Sequence, residues 1–583
     1  MRNFRQDVKT LATTWPFTGR EDELELVAVS SATGRHGLVV TGPAGRGKTR
    51  LIEQALRGTE HTRVTGTPDA QGLPFAAFAH LLPDTVSLHR AVQLLSGVRL
   101  LVVDDAHLLD EASAALVHQL AAHGRTRLLV AVVDEEPAPA AVTRLWTGEL
   151  LPRLALAPLP REDTARLLAA AGLEPLTAAR LHHVCRGDLR LLRDLVTALD
   201  ASGRLTPVPG TGERAWRGAP PVIPALRERL APALRCSGPG ARDTLERLAF
   251  AEPLPVYLAD FDLDVLERLE TDGLIEVDDR GAVTLADPLH GPVLRATTGR
   301  LRARRLAPGA DAYGPALDAE QRTLAERIER LDVRPVPTPV GEWLVAEGAP
   351  LPAGYAAVRA RYARLRGEVR DAAAWAREGL RRAPDDPGCR RELECAQGRS
   401  TQAGGVRPRA AVAAGDEVDA LYEAVRLGVP ESAAGRLPAG SVLARHAEAL
   451  AHGDGPALDR AAEALQERGL LLYAAEAHAQ AVRAHRDPRA ARLSRTRALA
   501  LAGRCQGART PALAGLTLGE LTARQRQIVT LAAAGLSNRE IAERLTLSVR
   551  TVGNHLYSAY TRLGTADRAA LPWLVEPPAA RSA

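Results

Sequence analysis

Aromatic residues make up only 3% of the 583 residues, and lysine is nearly missing: Lys9 and Lys48 are the two lysines among 75 basic residues. With 46% apolar residues but few rings, 49 glycines and 40 prolines, the cores must be built largely from Leu, Val and Ala. Long Ala/Leu/Arg/Glu stretches favour helices. A high-GC coding bias accounts for the arginine excess, and a lysine placed inside a motif is then informative. The five cysteines (Cys185, Cys236, Cys389, Cys395, Cys505) are odd in number and scattered, with no C-x-x-C pair and no histidines at zinc-ligand spacing. That argues against a disulfide framework and against a metal site built on cysteine. No run approaches the roughly 18 apolar residues needed to cross a bilayer, and Met1–Thr14 has no apolar h-region. No membrane partner is expected, and the expected location is the cytoplasm. A net charge of +5 is small for this length, so any nucleic-acid surface has to be local.

At roughly 100–200 residues per domain, several domains are expected, and four regions separate. Residues 15–205 alternate short apolar runs (Gly37–Val40, Arg99–Val103, Arg127–Val133) with helical patterns, the signature of an α/β domain with a parallel sheet. The Pro/Gly-rich stretch Thr206–Pro224 reads as a linker or exposed loop. Residues 221–300 carry helical stretches at Ala241–Ala251 and Leu263–Thr271, then two β-like runs about a turn within Gly273–Leu285, which suggests a winged-helix module. Residues 310–505, with small and large apolar residues at helical spacing in Gly354–Arg381 and Val442–Ala484, read as an α-helical, solenoid-like region of the tetratricopeptide kind. Gln397–Arg409 reads as a loop and Gly503–Gly515 as a last linker. Residues 516–575 form an all-α C-terminal module.

The apolar run Leu38–Thr41 leads into Gly42-Pro43-Ala44-Gly45-Arg46-Gly47-Lys48-Thr49 and then a helical pattern. This is the G-x-x-x-x-G-K-[ST] phosphate loop of P-loop NTPases in its strand-loop-helix context. Glycines let backbone N–H groups curl around phosphates, and the helix N-terminus adds the positive end of a dipole. Lys48 is expected to reach the β- and γ-phosphates, and the Thr49 hydroxyl to ligate Mg²⁺. The alternative, a Gly-rich turn before an ordinary helix, leaves the placement of one of only two lysines unexplained. Downstream, Arg99–Asp105 reads as a buried strand ending in two carboxylates. Asp104 sits where a metal-holding aspartate is needed, and Asp105 is a candidate for orienting an attacking water. The alternative for Asp104-Asp105 is a loop start or helix cap.

Phe17-Thr-Gly19-Arg20-Glu21, Leu73-Pro-Phe-Ala-Ala-Phe78 and Asp104-Asp-Ala-His-Leu-Leu-Asp110 resemble the ATPase module of the large ATP-binding regulators of the LuxR family, within the STAND group of signalling ATPases. The resemblance implies that Phe17, Gly19 and Arg20 lie near the adenine. It also marks two departures. The family's sensor strand carries an arginine facing the γ-phosphate, where this chain aligns Val133, which cannot donate to phosphate. The family's His-Pro-Leu motif reads Asp287-Pro288-Leu289 here, and an acid near the nucleotide would repel phosphate. Slow or negligible ATP hydrolysis is therefore expected.

At the C-terminus, Thr522-x-x-Gln525 and Ser537-x-x-Glu540 are capping boxes. They open helices whose apolar faces are Ile528, Leu531, Ala532 and then Ile541, Ala542, Leu545. Ser548 is placed to cap a third helix with Val552, Leu556, Ala559 and Leu563 on one stripe. Gly535 and Gly564 are stops, and Asp567–Val575 offers a fourth helix. The three-residue turn Leu545–Leu547 is helix-turn-helix spacing. The outward face of the third helix carries Arg550, Thr551, Asn554, Tyr557, Ser558 and Arg562. Leu516–Val575 holds seven arginines against four acids, the local basic surface the whole chain lacks. From capping and charge alone, a small helical bundle with a solvated basic face stays open. The run Leu521-Thr-x-Arg-x-Arg through Gly535-Leu-Ser-Asn-Arg-Glu-Ile-Ala542, Leu547-Ser-Val-Arg-Thr-Val552, Asn554-His555, Leu563-Gly564 and Arg568 resembles the LuxR-type DNA-binding domain along its whole length. That resemblance implies phosphate contacts from Asn538, Arg539, Ser548 and Thr551, and base-edge contacts from Arg550, Asn554 and Tyr557. Gly553 stands where the family carries a long or polar side chain, costs roughly 1 kcal/mol of helix stability and thins the reading face, so pairing on two half-sites carries more of the specificity.

The expectation is thus an ATP- and Mg²⁺-binding regulator, an activator of a pathway-specific gene set. Its partners would be promoter duplex DNA, RNA polymerase, a second copy on DNA and a small-molecule or protein inducer. The alternatives are a signalling ATPase or scaffold with a vestigial helix-turn-helix, and a constitutive DNA binder with an inactive ATPase domain.

Overall fold

The computed structural model describes residues 15–31, 37–221, 223–224, 226–228, 231, 240–309, 311–397, 414–433, 435–519, 523–533, 536–545 and 547–563. Gln397 closes a described helix, but the rest of the Gln397–Arg409 loop, Gly535, Gly564, the Thr522 cap and the fourth helix at Asp567–Val575 lie outside them. The chain divides into two compact units, Met1–Pro308 and Gly309–Ala583.

In the first unit, β1 (Gly37–Gly42), β2 (Thr62–Thr65), β3 (Leu100–Asp104), β4 (Arg127–Val133) and β5 (Arg153–Ala155) form one sheet in the order β2-β3-β4-β1-β5. Every neighbouring pair is parallel. The three inner strands are the near-continuous Leu/Val runs that burial on both faces demands. Alternate residues divide between two cores. Val39, Leu101, Val103, Leu128 and Val130 pack with Leu116, Val117 and Leu120 of α4 (Glu111–His123). Val40, Val102, Leu129 and Ala131 pack with Val27 of α1 (Glu21–Ser31) and with Leu51 and Ile52 of α2 (Lys48–Ala55). The edge strands β2 and β5 are too short and polar to signal themselves in the sequence. Helices α3 (Leu88–Leu95) and α5 (Ala140–Thr147) complete this domain.

Helices α6 (Arg161–Ala170), α7 (Pro175–Cys185) and α8 (Leu189–Ala201) follow. The expected linker at Thr206–Pro224 is instead largely a hairpin, β6 (Leu205–Pro207) with β7 (Arg214–Trp216). Its physical reason is Trp216, whose fully buried ring packs with Leu191, Leu195 and Leu199, with the Arg180 guanidinium 3.6 Å from its centroid. Leu289 and Val293 join the same cluster. The next module has α9 (Ala241–Ala251), α10 (Leu263–Thr271), the three-stranded antiparallel sheet β8-β10-β9 and α11 (His290–Thr297). The two β-like runs read from the sequence are β9 (Ile275–Val277) and β10 (Ala282–Leu285), and the two-residue β8 (Val256–Tyr257) joins them. Helix α12 (Arg300–Leu306) ends the unit.

The second unit is helical among its described residues. Helices α13 (Gly314–Glu329), α14 (Pro339–Glu347), α15 (Ala353–Leu365), α16 (Val369–Arg382), α17 (Pro387–Ala396), α18 (Ala414–Arg426), α19 (Val442–Ala451), α20 (Gly455–Glu467), α21 (Leu471–Ala484) and α22 (Pro488–Gly503) are joined mostly by short turns. Alanines such as Ala356, Ala360, Ala372 and Ala376, all fully buried, let neighbouring helices approach closely where a core with few rings needs it. The expected linker Gly503–Gly515 is packed rather than free: Cys505, Ala512 and Leu513 lie in the main helical core, with Leu516 just beyond. Most of it belongs to α23 (Pro511–Gly519) and the turn before it. Then come α24 (Ala523–Ala533), α25 (Asn538–Leu545) and α26 (Val549–Leu563).

Candidate functional site

The phosphate loop runs from the end of β1 into α2. Gly42, Gly45 and Gly47 hold φ values of 147°, 75° and 87°, a region that costs an L-residue roughly 1–2 kcal/mol. Pro43, Ala44 and Arg46 complete the loop. Lys48 is buried, and its Nζ donates to the carbonyls of Gly42 at 2.7 Å and Pro43 at 2.8 Å. Burial lowers its pKa, opposed by the carboxylates of Asp134, Asp105 and Asp104. Thr49 Oγ1 donates to Asp104 Oδ1 at 2.9 Å, so the hydroxyl and carboxylate read as metal ligands meet where α2 begins and β3 ends. A hydroxyl beside a carboxylate oxygen is a donor set that would suit Mg²⁺. Asp105 follows in a left-handed conformation, φ 47°, and its N–H donates to Asp104 Oδ1 at 3.2 Å. Desolvation, then the neighbouring Asp104 charge, raises its pKa.

Arg20 is buried and donates to the Ala157 carbonyl at 2.6 Å and to Glu23 at 2.7 Å. Gly19, at φ 72°, lies against Asp163. Phe17 packs on the cluster of Leu38, Val40 and Leu51. These three residues therefore flank α2 and the segment after β5, on the side of the sheet that α2 covers. Val133 ends β4 opposite Gly42, beside the loop, and its side chain is apolar and buried. Asp287 Oδ1 accepts the Leu289 N–H at 2.8 Å in the turn just before α11.

Four residues that sequence reasoning missed surround this loop. Arg63 of β2 donates to Asp104 Oδ2 at 2.5 Å and to Glu53 at 2.7 Å. Arg153 of β5 donates through Nε to Thr41 Oγ1 at 2.8 Å and lies 3.4 Å from Asp134. Arg186 and Asp188, in the α7–α8 corner, brace the loop from outside. Arg46 donates to the Arg186 carbonyl at 2.6 Å, and the Leu189 N–H to the Gly45 carbonyl at 2.9 Å. Arg186 in turn donates to the Ala286 carbonyl at 2.7 Å, linking the loop through the corner to the module holding α11. None of the four stands in a short motif, and only strand register or long-range folding brings them in.

In the C-terminal helices, Ile528, Val529, Ala532, Ile541, Ala542, Val552, Leu556 and Ala559 form one core. Leu531 and Leu545 are only partly buried against it. The Ser537 box is reciprocal: the Ser537 N–H donates to Glu540 at 2.7 Å, and the Glu540 N–H to Ser537 Oγ at 3.3 Å. Ser548 Oγ accepts the Thr551 N–H at 3.0 Å and pairs with the Thr551 hydroxyl at 2.7 Å. On α26, Asn554 and Tyr557 are exposed, Tyr557 by 76%. Gly553 has open space where a side chain would project. Asn538 opens α25 half-buried, and Arg539 beside it is exposed, 3.4 Å from Glu543. The side chains of Arg550, Arg562 and Leu563 lie outside the described residues. Ser558, expected on the outward face, instead accepts from buried Gln525 at 3.1 Å. The hydroxyl thereby gives the buried amide a hydrogen-bond partner.

Residues 519–574 match the family described as "Bacterial regulatory proteins, luxR family". This segment is a LuxR-type helix-turn-helix, set in one chain with a P-loop ATPase-like domain. Two relatives bear the name Putative HTH-type transcriptional regulator. Mb0914c of Mycobacterium bovis is 44% identical over 81 residues, 14% of this chain and 9% of that protein. YhjB of Escherichia coli is 51% identical over 51 residues, 9% of this chain and 26% of that protein. The chain thus spans only a small part of these relatives' length. Among solved structures, the RuvB Holliday junction branch migration motor of Thermotoga maritima aligns at 15% identity over 45% of this chain and 90% of that one, TM-score 0.24. A Walker-type ATPase of Pyrococcus abyssi aligns at 14% identity over 50% and 99%, TM-score 0.29. The P-loop fold itself rests on the strand order and loop geometry above. No described helix is long and apolar enough to cross a membrane. Among the described residues no group of His, Cys, Asp and Glu forms a metal cluster, and no disulfide joins Cys185, Cys389, Cys395 or Cys505.

Proposed function

We propose that this chain is an ATP-binding transcriptional regulator that binds promoter DNA through α24–α26. One observation carries the reading: a LuxR-type helix-turn-helix shares a chain with a phosphate loop whose lysine, threonine and aspartate are assembled at the carboxyl edge of a parallel sheet. In this reading the loop N–H groups and Lys48 hold the phosphates, while Phe17, Gly19 and Arg20 flank the base. Thr49 and Asp104 would hold Mg²⁺ where it binds, and it would supply positive charge to the phosphates. Asn538, Arg539, Ser548 and Thr551 fix the module on the phosphate backbone, and Arg550, Asn554 and Tyr557 read base edges. A second copy pairs on DNA, and RNA polymerase and an inducer act on the assembled regulator. The hydrogen-bonded path Arg46–Arg186–Ala286 is the route by which nucleotide in the loop alters the following module.

The test is binding to the protein's own upstream promoter with ATP, ADP or no nucleotide, for wild type and Lys48→Ala. Nucleotide-dependent affinity that Lys48→Ala abolishes is the expected result. Equal affinities throughout would eliminate nucleotide control and favour the constitutive DNA binder, a reading to which Val133 lends weight. No promoter binding even at low salt, where phosphate contacts are strongest, would leave a signalling scaffold.

A further inference from the structure

The carboxylate read as the metal holder already carries a cation of the protein's own. Arg63 pairs with Val102 in the β2–β3 register, and Thr65 pairs with Asp104. Side chains two residues apart on a strand share a face, so Arg63 and Asp104 project on the same side of the sheet. That side is the one Val102 shares with Leu51 and Ile52 of α2. From there Arg63 bridges Glu53 on α2 to Asp104 Oδ2. The other oxygen, Oδ1, accepts from Thr49. Both oxygens of a carboxylate whose side chain is 5% exposed are thus engaged, while the Arg63 side chain is 38% exposed and keeps N–H groups open toward solvent.

Two consequences follow. A bare Asp104 beside the loop would repel an entering polyphosphate, the charge problem that Mg²⁺ solves in phosphate sites. Arg63 neutralises that carboxylate before any ligand arrives. A guanidinium also presents a fixed fork of donors matched to phosphate oxygens, whereas Mg²⁺ entering here must compete with it for Oδ2.

We propose that Arg63 serves as a built-in cation at the metal position, so that the loop binds a nucleoside di- or triphosphate with little dependence on Mg²⁺. This rests on reading the loop as a nucleotide site. The experiment titrates the full chain with mant-ATP in excess Mg²⁺ and in EDTA, for wild type, Arg63→Gln and Arg63→Lys, with circular dichroism reporting the fold. Wild-type affinity is expected to change by less than about threefold between the two media. Arg63→Gln should keep its affinity in Mg²⁺ and lose about tenfold or more in EDTA, as removal of a unit charge near phosphate requires. Arg63→Lys, which restores charge, should recover most of that loss, a rescue that a merely structural role would not give. Wild type that binds only with Mg²⁺, or Arg63→Gln that matches wild type in EDTA, overturns the proposal and leaves the nucleotide site intact. A wild type that binds mant-ATP in neither medium overturns the nucleotide reading and the proposal together.

Discussion

Replacing Gly45 with alanine tests whether the phosphate loop is braced by the α7–α8 corner. Gly45 sits at φ 75°, where a Cβ would come within 2.0 Å of Asp188 Oδ1 and 2.5 Å of its Cγ. The left-handed conformation alone costs alanine about 1–2 kcal/mol. Asp188 cannot simply swing away, because its Oδ1 accepts the N–H groups of Arg190 at 3.0 Å and Leu191 at 2.9 Å and so caps α8. Displacing it forfeits a cap worth about 1 kcal/mol. Gly45→Ala should therefore cost about 2–3 kcal/mol, and Asp188→Ala alone about 1 kcal/mol. In the double variant the cap is already gone and the clash relieved, so the costs should fall short of additive by about 1 kcal/mol. Urea unfolding of the full chain, followed by tryptophan fluorescence, to which buried Trp216 contributes, measures all three. Mant-ATP affinity should fall in Gly45→Ala and recover partly in the double variant. Additive costs, or a Gly45→Ala penalty below about 0.5 kcal/mol, would show that the corner does not press on the loop.

Other outcomes follow from the same geometry. His446 is wholly buried between the Tyr422 hydroxyl and Gln480, each at 2.7 Å, and burial pushes its pKa from 6.5 down to about 4. A depressed histidine pKa means the unfolded chain binds the proton first, so the helical unit should lose stability as pH falls below 6.5, by about 2 kcal/mol at pH 5. His446→Gln should flatten that dependence, and an unchanged urea midpoint between pH 8 and pH 5 in wild type would refute it. Asn554→Ala should weaken binding to the preferred site by about 1–3 kcal/mol and relax base preference there. Arg539→Ala should weaken all sequences alike and lower the salt slope by about 1; the reverse pattern in salt-titrated gel shifts would exchange their roles. On the alignment that the resemblance implies, Val133 takes the sensor position and one charge-assisted donor to the γ-phosphate is missing, which should lower the rate by about 10²–10³. Steady-state turnover should stay well below about one per second, and several per second would contradict it.

Much of the fold was legible because its signals are local. The inner strands are apolar runs, the phosphate loop is a contiguous motif, and Ser537 with Glu540 announces a helix start within four residues. The hairpin at Leu205–Trp216 was not legible, because Pro and Gly dominate its composition while one buried indole decides its structure. The Gly503–Gly515 stretch misled for a similar reason: Leu513 within it and Leu516 just beyond anchor it to helices far away in sequence. Ser558 was misread because a helical wheel separates faces by angle alone, whereas Gln525 on a neighbouring helix claimed the boundary position. At the phosphate-loop site, Lys48, Thr49 and Asp104 were readable from spacing. Arg63 and Arg153 were not, since in a chain with this many arginines neither stands out until β2 and β5 are set into the sheet.

These late arrivals change what the phosphate site is suited to. A sensor that distinguishes ATP from ADP needs a donor aimed at the γ-phosphate, and the end of β4 beside the loop carries the apolar, buried Val133. The charged groups that do surround the loop are placed otherwise. Lys48 rests on the loop's own carbonyls, Arg63 on Asp104, Arg153 on Thr41 near Asp134, and Arg46 on the α7–α8 corner. On the proposed reading, a polyphosphate entering this ring would draw Lys48 off its carbonyls, whichever nucleotide carries it. The loop's outer bonds to the Arg186 carbonyl and the Leu189 N–H then decide whether that movement is transmitted. On the proposed nucleotide-binding reading, this geometry favours a switch thrown by occupancy over one thrown by hydrolysis, and ATP and ADP should differ less from one another than either does from the empty loop.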